Sequence, residues 1–218
     1  MAKEVKLTEF RADLISPSRT EKIRNLIARR QNLTIILENV HDPHNIGAVL
    51  RSCDAVGVGE VYLLYTEPMH DYHKHEIGQN ASSGARKWVR ANYYYDVDEC
   101  FYAVRNKYGH VYGTHLAANA GSLYELHLAE PVALMFGNEH LGISEASLAR
   151  LDGNFIIPQF GMVQSLNISV ACAVSLFEAL RQRMEKGMYD ASFDDSNPNH
   201  LSSFEMLVNR HFDHNQNR

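Results

Sequence analysis

A chain of 218 residues, 45% hydrophobic and 22% charged, holds enough apolar material for one sizeable globular domain with flanking helices, and no run approaches the ~20 apolar residues of a membrane span. A net charge of −5 argues against a uniformly basic nucleic-acid binder. Cys53, Cys100 and Cys172 are widely separated and exclude a disulfide framework or a CxxC motif; with a charged N-terminus lacking an apolar signal core, they fit a reducing cytoplasm.

Ser18-Arg19-Thr20 reads as an N-cap region, and Ile23, Leu26 and Ile27 mark a short amphipathic helix ending near Arg30. Residues 1–30 carry a net charge of +4 and residues 188–218 a net charge of −3. Phosphate binding needs a local basic face rather than a basic whole, and a solvated charged helix explains the same pattern equally well. Leu33 to Leu37 reads as a buried strand. The turn-rich HDPHN follows, and Asn45 opens a helix with Ile46, Val49 and Leu50 on one face, running to Gly57. Val61 to Leu64 is a second strand. Residues 66–87 are polar and loop-like, with a short helix around His75 to Ile77. Trp88 to Tyr94 is a third strand, and Asp96 caps a helix to Tyr108 that Gly109 closes.

His110 to His115 and Ala133 to Gly137 are the next strands, Ser144 caps a helix to Leu151, and Phe155 to Ile157 is a sixth strand ended by Pro158. Gly161 supplies backbone freedom in the loop that follows. Ser165 then opens a long helix with Val170, Val174, Phe177 and Leu180 at helical spacing. Ser165-Leu166-Asn167 puts a hydroxyl and an amide where helix N–H groups are unpaired, which suits a polar ligand or an ordinary cap. The stretch after Tyr189 reads as a linker. Ser202 to Phe212 forms a last helix with Phe204, Leu207 and Val208 as its apolar side.

Apolar strands alternating with helices predict an α/β domain with a parallel sheet covered on both faces. Ligands in such sheets bind at the carboxyl ends of the strands, where the loops at Asn45, Gly137-Asn138-Glu139 and Gly161 lie. GNEHLG (137–142) is neither GxGxxG nor a P-loop, and Ser165 is not in GxSxG. His70, His73 and His75, like His41 and His44, lack Cys or acidic partners at ligand spacing, so no metal is expected.

Three segments are more specific together than singly. HDPHNIGAVLRSCDAVGV (41–58), VALMFGNEHLGIS (132–144) and IIPQFGMVQSLNISVACAV (156–174) resemble, in order and spacing, the three motifs of the SPOUT superfamily of RNA methyltransferases. The similarity is to its 2′-O-ribose-methylating branch and spans most of residues 32–189. LIARRQNLT and LFEALRQRMEKGMY are similar to the tRNA guanosine-18 2′-O-methyltransferases in particular.

The resemblance implies a parallel-sheet α/β knot, with a trefoil knot near the C-terminus and short flanking helices; such knots are nearly absent from other proteins. It divides the chain into an N-terminal helical extension (1–31) for RNA or dimer contacts, a methyltransferase domain (32–189) and a C-terminal tail with a short helix (190–218). It implies S-adenosylmethionine as methyl donor, held by Thr114, Leu116, Gly137, Gly142, Ile157, Met162 and Leu166, and a homodimer with each site completed by both subunits. No metal and no membrane enter.

The family assigns the 2′-hydroxyl proton to the arginine matching Arg51. An arginine pKa above 12 leaves two versions open: transient deprotonation, or phosphate binding with the proton removed elsewhere. Asn45 and Ser165 would orient Arg51 or the RNA, and Glu139 and Asn167 would fix the loops and the arginine. About 30 residues precede the first strand, fewer than the added RNA-binding domain usual in ribosomal RNA members of the branch, which favours tRNA. The alternatives are the same reaction on rRNA or at another tRNA position, and a knotted RNA-binding protein without turnover.

Overall fold

Leu33-Thr34-Ile35-Ile36-Leu37 has no polar face, so it is accommodated only where helices cover both sides of a sheet. The computed structural model, which describes residues 15–67, 84–117, 120–163 and 165–216, places it there. The chain forms two compact units: Arg30–Tyr189, and the two flanks that precede and follow it. The helix expected around His75, with His70 and His73, lies outside the described residues.

The larger unit is a seven-stranded sheet of β1 (Leu33–Glu38), β2 (Glu60–Leu64), β3 (Arg90–Tyr94), β4 (His110–Thr114), β5 (Gly121–Ser122), β6 (Val132–Phe136) and β7 (Gly153–Ile156). The strand order is β3-β2-β1-β6-β4-β7-β5, and every pairing is parallel. β1, β2 and β6 are buried along their whole length. One face is covered by α2 (Pro43–Ala55) and α5 (Ile168–Glu185), which pack on each other. The other is covered by α3 (Val97–Arg105) and the one-turn α4 (Glu145–Leu148). Cys53, Cys100 and Cys172 are buried free thiols; burial, then the Glu38 charge, pushes Cys100 up to about 12, so it is not a reactive thiolate.

Several expected boundaries move, each for a local reason. α2 starts at Pro43, not Asn45, because Asp42 accepts from His44 N (2.8 Å) and proline suits the first helical turn. α5 starts at Ile168, capped by Asn167 rather than Ser165. Gly161 has no positive φ, and a Cβ added there would meet nothing within 4 Å, so its loop does not require glycine. The two-residue β5 is too short to show in the sequence. On α5, Val174 and Leu180 pack against the core, but Val170 (46%) and Phe177 (50%) are exposed. Cys172, Leu176, Ala179 and Arg183 form the buried side instead.

Arg183 is fully buried and is matched to acceptors rather than to a carboxylate. It donates to the carbonyls of Leu128 (2.8 Å), Glu130 (2.7 Å) and Asn32 (3.1 Å) and to Gln31 Oε1 (3.2 Å). Burial lowers its pKa. The side chain ties the end of α5 to the entrances of β1 and β6. Arg183→Met fills the volume and leaves the carbonyls unpaired; it is expected to cost about 3–5 kcal/mol, read from urea unfolding.

Glu60 opens β2 at the amino ends of the strands. It accepts from Lys107 Nζ (2.6 Å), Tyr62 Oη (3.1 Å) and Tyr108 Oη (3.3 Å) on one oxygen, and from Arg90 (2.5 Å) and Asn92 (3.2 Å) on the other. Burial raises its pKa, but the Lys107 and Arg90 hydrogen bonds more than offset this and hold it at about 2. A depressed carboxylate stabilises the fold above its unfolded pKa and loses that contribution as pH falls through the folded one. The stability advantage of wild type over Glu60→Gln is therefore expected to reach about 2–3 kcal/mol at neutral pH and to fade between about pH 4.5 and 2 in acid titrations of unfolding.

In the smaller unit, α1 (Pro17–Ala28) and α6 (Pro198–Gln216) pack together. Ser16 caps α1, accepting from Arg19 N (3.3 Å), and α6 begins four residues before the sequence suggests. Ile23, Ile27, Phe204, Leu207 and Val208 are buried. Arg24 pairs with Asp195 and lies 4.3 Å from the centre of the Phe193 ring. The segment read as a linker thus contributes ordered contacts.

Candidate active site

The carboxyl ends of β4, β6 and β7 lead into loops that line one cleft of about 770 Å³. Thr114 ends β4 and Leu116 follows it; Gly137, Glu139 and Gly142 follow β6; Ile157, Ser165, Leu166 and Asn167 follow β7. Every expected cofactor contact lines this cleft except Met162. Met162 is 99% exposed and lies outside the lining, as an apolar residue in a loop with no covering element.

The loop after β6 is tightly specified. A Cβ on Gly137 would stand 2.0 Å from the Gly142 carbonyl carbon and 2.1 Å from its oxygen. Gly142 has φ +70°, in the left-handed region. Backbone hydrogen bonds close the turn between Asn138 and Gly142 in both directions, at 3.1 and 2.8 Å. Asn138 Oδ1 accepts from His140 N (2.8 Å) and Leu141 N (3.3 Å), and its amide donates to Asn39 O (2.8 Å). Asn39 adopts φ 52°, which asparagine tolerates. Its side chain is held in both directions by Thr66, at 2.9 Å.

A directional chain of amides joins the three segments. Ser169 donates to Asn167 Oδ1 through N (2.8 Å) and Oγ (2.6 Å), so the Asn167 amide nitrogen must face the other way. It donates to Asn45 Oδ1 (3.1 Å), and Asn45 Nδ2 donates to Glu139 Oε1 (2.7 Å). Asn45, Glu139 and Asn167, chosen from the sequence, are thus in direct contact. Ser165 lines the same cleft and does not cap the helix. Arg51 is not brought in. It lies on α2 six residues after Asn45, about 120° around the helix, and is exposed outside the cleft lining.

Asn39 and Ser169 were missed from the sequence, and Asn138 was named only as part of its loop. The Asn-x-Ser spacing at 167–169 is a cap signature that could have exposed Ser169. Among the described residues no group of three or more His, Cys, Asp or Glu is placed to hold a metal. His41 instead stacks on Tyr65 and approaches Glu67 at 3.7 Å. The cleft suits a flat heterocycle joined to a polar, charged portion. Leu116, Ile157 and Leu166 offer apolar faces, and the turn at 137–142 offers backbone groups and a carboxylate.

Comparison with known proteins places the chain among its relatives. A Thermus thermophilus tRNA (guanosine(18)-2′-O)-methyltransferase is 43% identical over 175 residues, covering 79% of this chain and 87% of that protein. The Escherichia coli protein of the same name is 37% identical over 176 residues, covering 80% and 75%. The crystal structure of the A. aeolicus TrmH/SpoU tRNA modifying enzyme aligns with a TM-score of 0.76 at 30% identity, covering 88% of this chain and 96% of that one. An AdoMet-bound rRNA methyltransferase from Sinorhizobium meliloti aligns at 0.59 with 28% identity, covering 73% and 59%. Residues 32–177 match the SpoU rRNA Methylase family. The chain therefore belongs to that family.

Proposed function

We propose that this protein transfers a methyl group from S-adenosylmethionine to the ribose 2′-hydroxyl of guanosine-18 in tRNA. The observation that carries the reading is the contact of Asn45, Glu139 and Asn167 at the mouth of a cleft shaped for the cofactor. The relatives named for guanosine-18 methylation favour tRNA, while a relative named as a 23S rRNA (guanosine-2′-O-)-methyltransferase is 34% identical over 157 residues. Presenting unmodified tRNA and rRNA together and mapping the modified nucleotide decides between them. Methylation confined to rRNA would overturn the tRNA assignment and leave the reaction standing.

Bound S-adenosylmethionine supplies an electrophilic methyl group on a sulfonium. The protein must hold that methyl in line with the 2′-oxygen and deal with one proton. Leu116, Ile157 and Leu166 pack the cofactor, and Thr114, Gly137 and Gly142 shape the loops around it. The amide chain fixes Glu139 with Oε1 occupied, leaving Oε2 to receive a cation. Arg51, with its planar fork of donors, holds that carboxylate and the RNA phosphate and so places the hydroxyl, whose proton passes to solvent as the methyl moves to oxygen and S-adenosylhomocysteine leaves.

Arg51 reaches such a position from a second copy. Support for a homodimer comes from its absence from the cleft lining and from Val170, Phe177 and Met184, exposed on α5 at seven-residue spacing. For the finer fold the reading is a trefoil knot, and support for it comes from β7, which pairs with β4 on one side and β5 on the other. The exposed Arg19 and Lys22 of α1 and Arg29, which caps its end, recur on one side and offer a local site for RNA phosphates, in keeping with the extension's expected role. No helix among the described residues is long and apolar enough to cross a membrane. The cytoplasmic location in this reading rests on the proposed tRNA substrate.

A further inference from the structure

Glu38 ends β1 with its side chain fully buried, and no lysine, arginine or histidine is paired with it among the described residues. Glu60, the other buried carboxylate of the sheet described above, has two cations. Desolvating a carboxylate is unfavourable unless every oxygen is matched. Among the described residues, the hydrogen bonds to the Glu38 carboxylate come from one short segment: Ser144 Oγ (2.7 Å) and Ser147 Oγ (2.7 Å) donate to Oε1, and Ser144 N (2.9 Å) donates to Oε2. Capping the one-turn α4 does not require this, since Ser144 Oγ already accepts from Ser147 N (3.3 Å).

What the contact does fix is the far end of the loop that lines the cleft. The near end is held by the next residue of the chain, Asn39, whose carbonyl accepts from Asn138 (2.8 Å). Two consecutive residues at the end of β1 thus clamp the loop at 138 and at 144. Between the clamps lie Gly142, with its positive φ, and Glu139, which takes part in the amide chain.

We propose that Glu38 is a positioning residue for the cofactor: through Ser144 and Ser147 it sets the place of the 137–143 loop. The proposal rests on the reading of the cleft as the S-adenosylmethionine site. Removing the carboxylate frees the loop end and weakens cofactor binding. A neutral isostere keeps it, because an amide can donate to the serine oxygens and accept from Ser144 N.

The test is calorimetric binding of S-adenosylmethionine to the full chain, with thermal unfolding measured in parallel. Glu38→Ala is expected to raise Kd at least tenfold, and Glu38→Gln to restore it to within about threefold of wild type. Glu60→Ala, at the opposite end of the sheet, is expected to lower the unfolding temperature with Kd unchanged. Ser144→Ala and Ser147→Ala each remove one hydroxyl and are expected to raise Kd about threefold in folded protein, which keeps the test decisive if Glu38→Ala does not fold. Unchanged Kd in the Glu38 and serine variants, or an equal loss in Glu60→Ala, would overturn the proposal. Wild-type protein that binds no S-adenosylmethionine would instead overturn the reading on which it rests.

Discussion

Arg51→Ala is expected to lower methyl transfer at least about a hundredfold while S-adenosylmethionine still binds, because Arg51 stands outside the cleft proposed for the cofactor. The lysine variant separates the two roles. A positioning arginine uses a planar fork that lysine lacks, so Arg51→Lys should stay nearly as inactive as Arg51→Ala at every pH. A proton-accepting role predicts that Arg51→Lys recovers activity as pH rises, since an ammonium gives up its proton more readily. The subunit arrangement is tested with the same variant. Co-purified hybrids of Arg51→Ala and Glu139→Gln subunits are expected to regain about half of wild-type activity, because one of two sites then holds both intact groups. If Arg51 served the cleft of its own chain, every hybrid site would lack one group and no activity would return.

Gly137→Ala is the second large effect. The added carbon would stand 2.0 Å from a backbone atom of Gly142, and backbone cannot rotate away as a side chain can. Either the turn opens or β6 shifts. We expect a fall in S-adenosylmethionine affinity of at least about a hundredfold, or a loss of more than ~3 kcal/mol of stability, read by calorimetry and denaturant unfolding. Gly161→Ala is the matched control. It meets nothing within 4 Å and is expected to change Kd less than threefold.

The contrast between these two glycines shows what a single sequence conveys. Both stand in loops at the carboxyl ends of strands, and nothing local separates them. The requirement at Gly137 is set by a residue five positions on that folds back onto it, a tertiary fact. The strands were readable because β1, β2 and β6 are apolar on both faces, and burial demands that composition. Helix starts were readable to within a few residues, but competing cap residues misled: Asn45 and Ser165 are polar and near the starts, while Asp42 and Asn167 make the caps. α5 misled more. Its Val170 and Phe177 recur at helical spacing as core residues do, yet they are exposed, and a buried arginine lies on the opposite side.

Of the site, the polar residues of the three segments were legible through their resemblance to a family, and the geometry joins Asn45, Glu139 and Asn167 directly. Met162 stands exposed outside the cleft lining, and an apolar residue in a loop carries no local sign of whether it faces a ligand or solvent. Glu38 and Asn39 were read only as the start of the turn-rich loop after the first strand. Their role depends on partners more than ninety residues away, which no local pattern reveals.

The most direct measurement uses labelled S-adenosylmethionine, wild-type protein and two otherwise identical unmodified tRNAs, one with guanosine and one with 2′-deoxyguanosine at position 18. The predicted result is one methyl group per tRNA on the first, mapped to the 2′-oxygen of guanosine-18, and none on the second. Incorporation into the deoxy tRNA at the same rate would contradict both the position and the 2′-hydroxyl as acceptor.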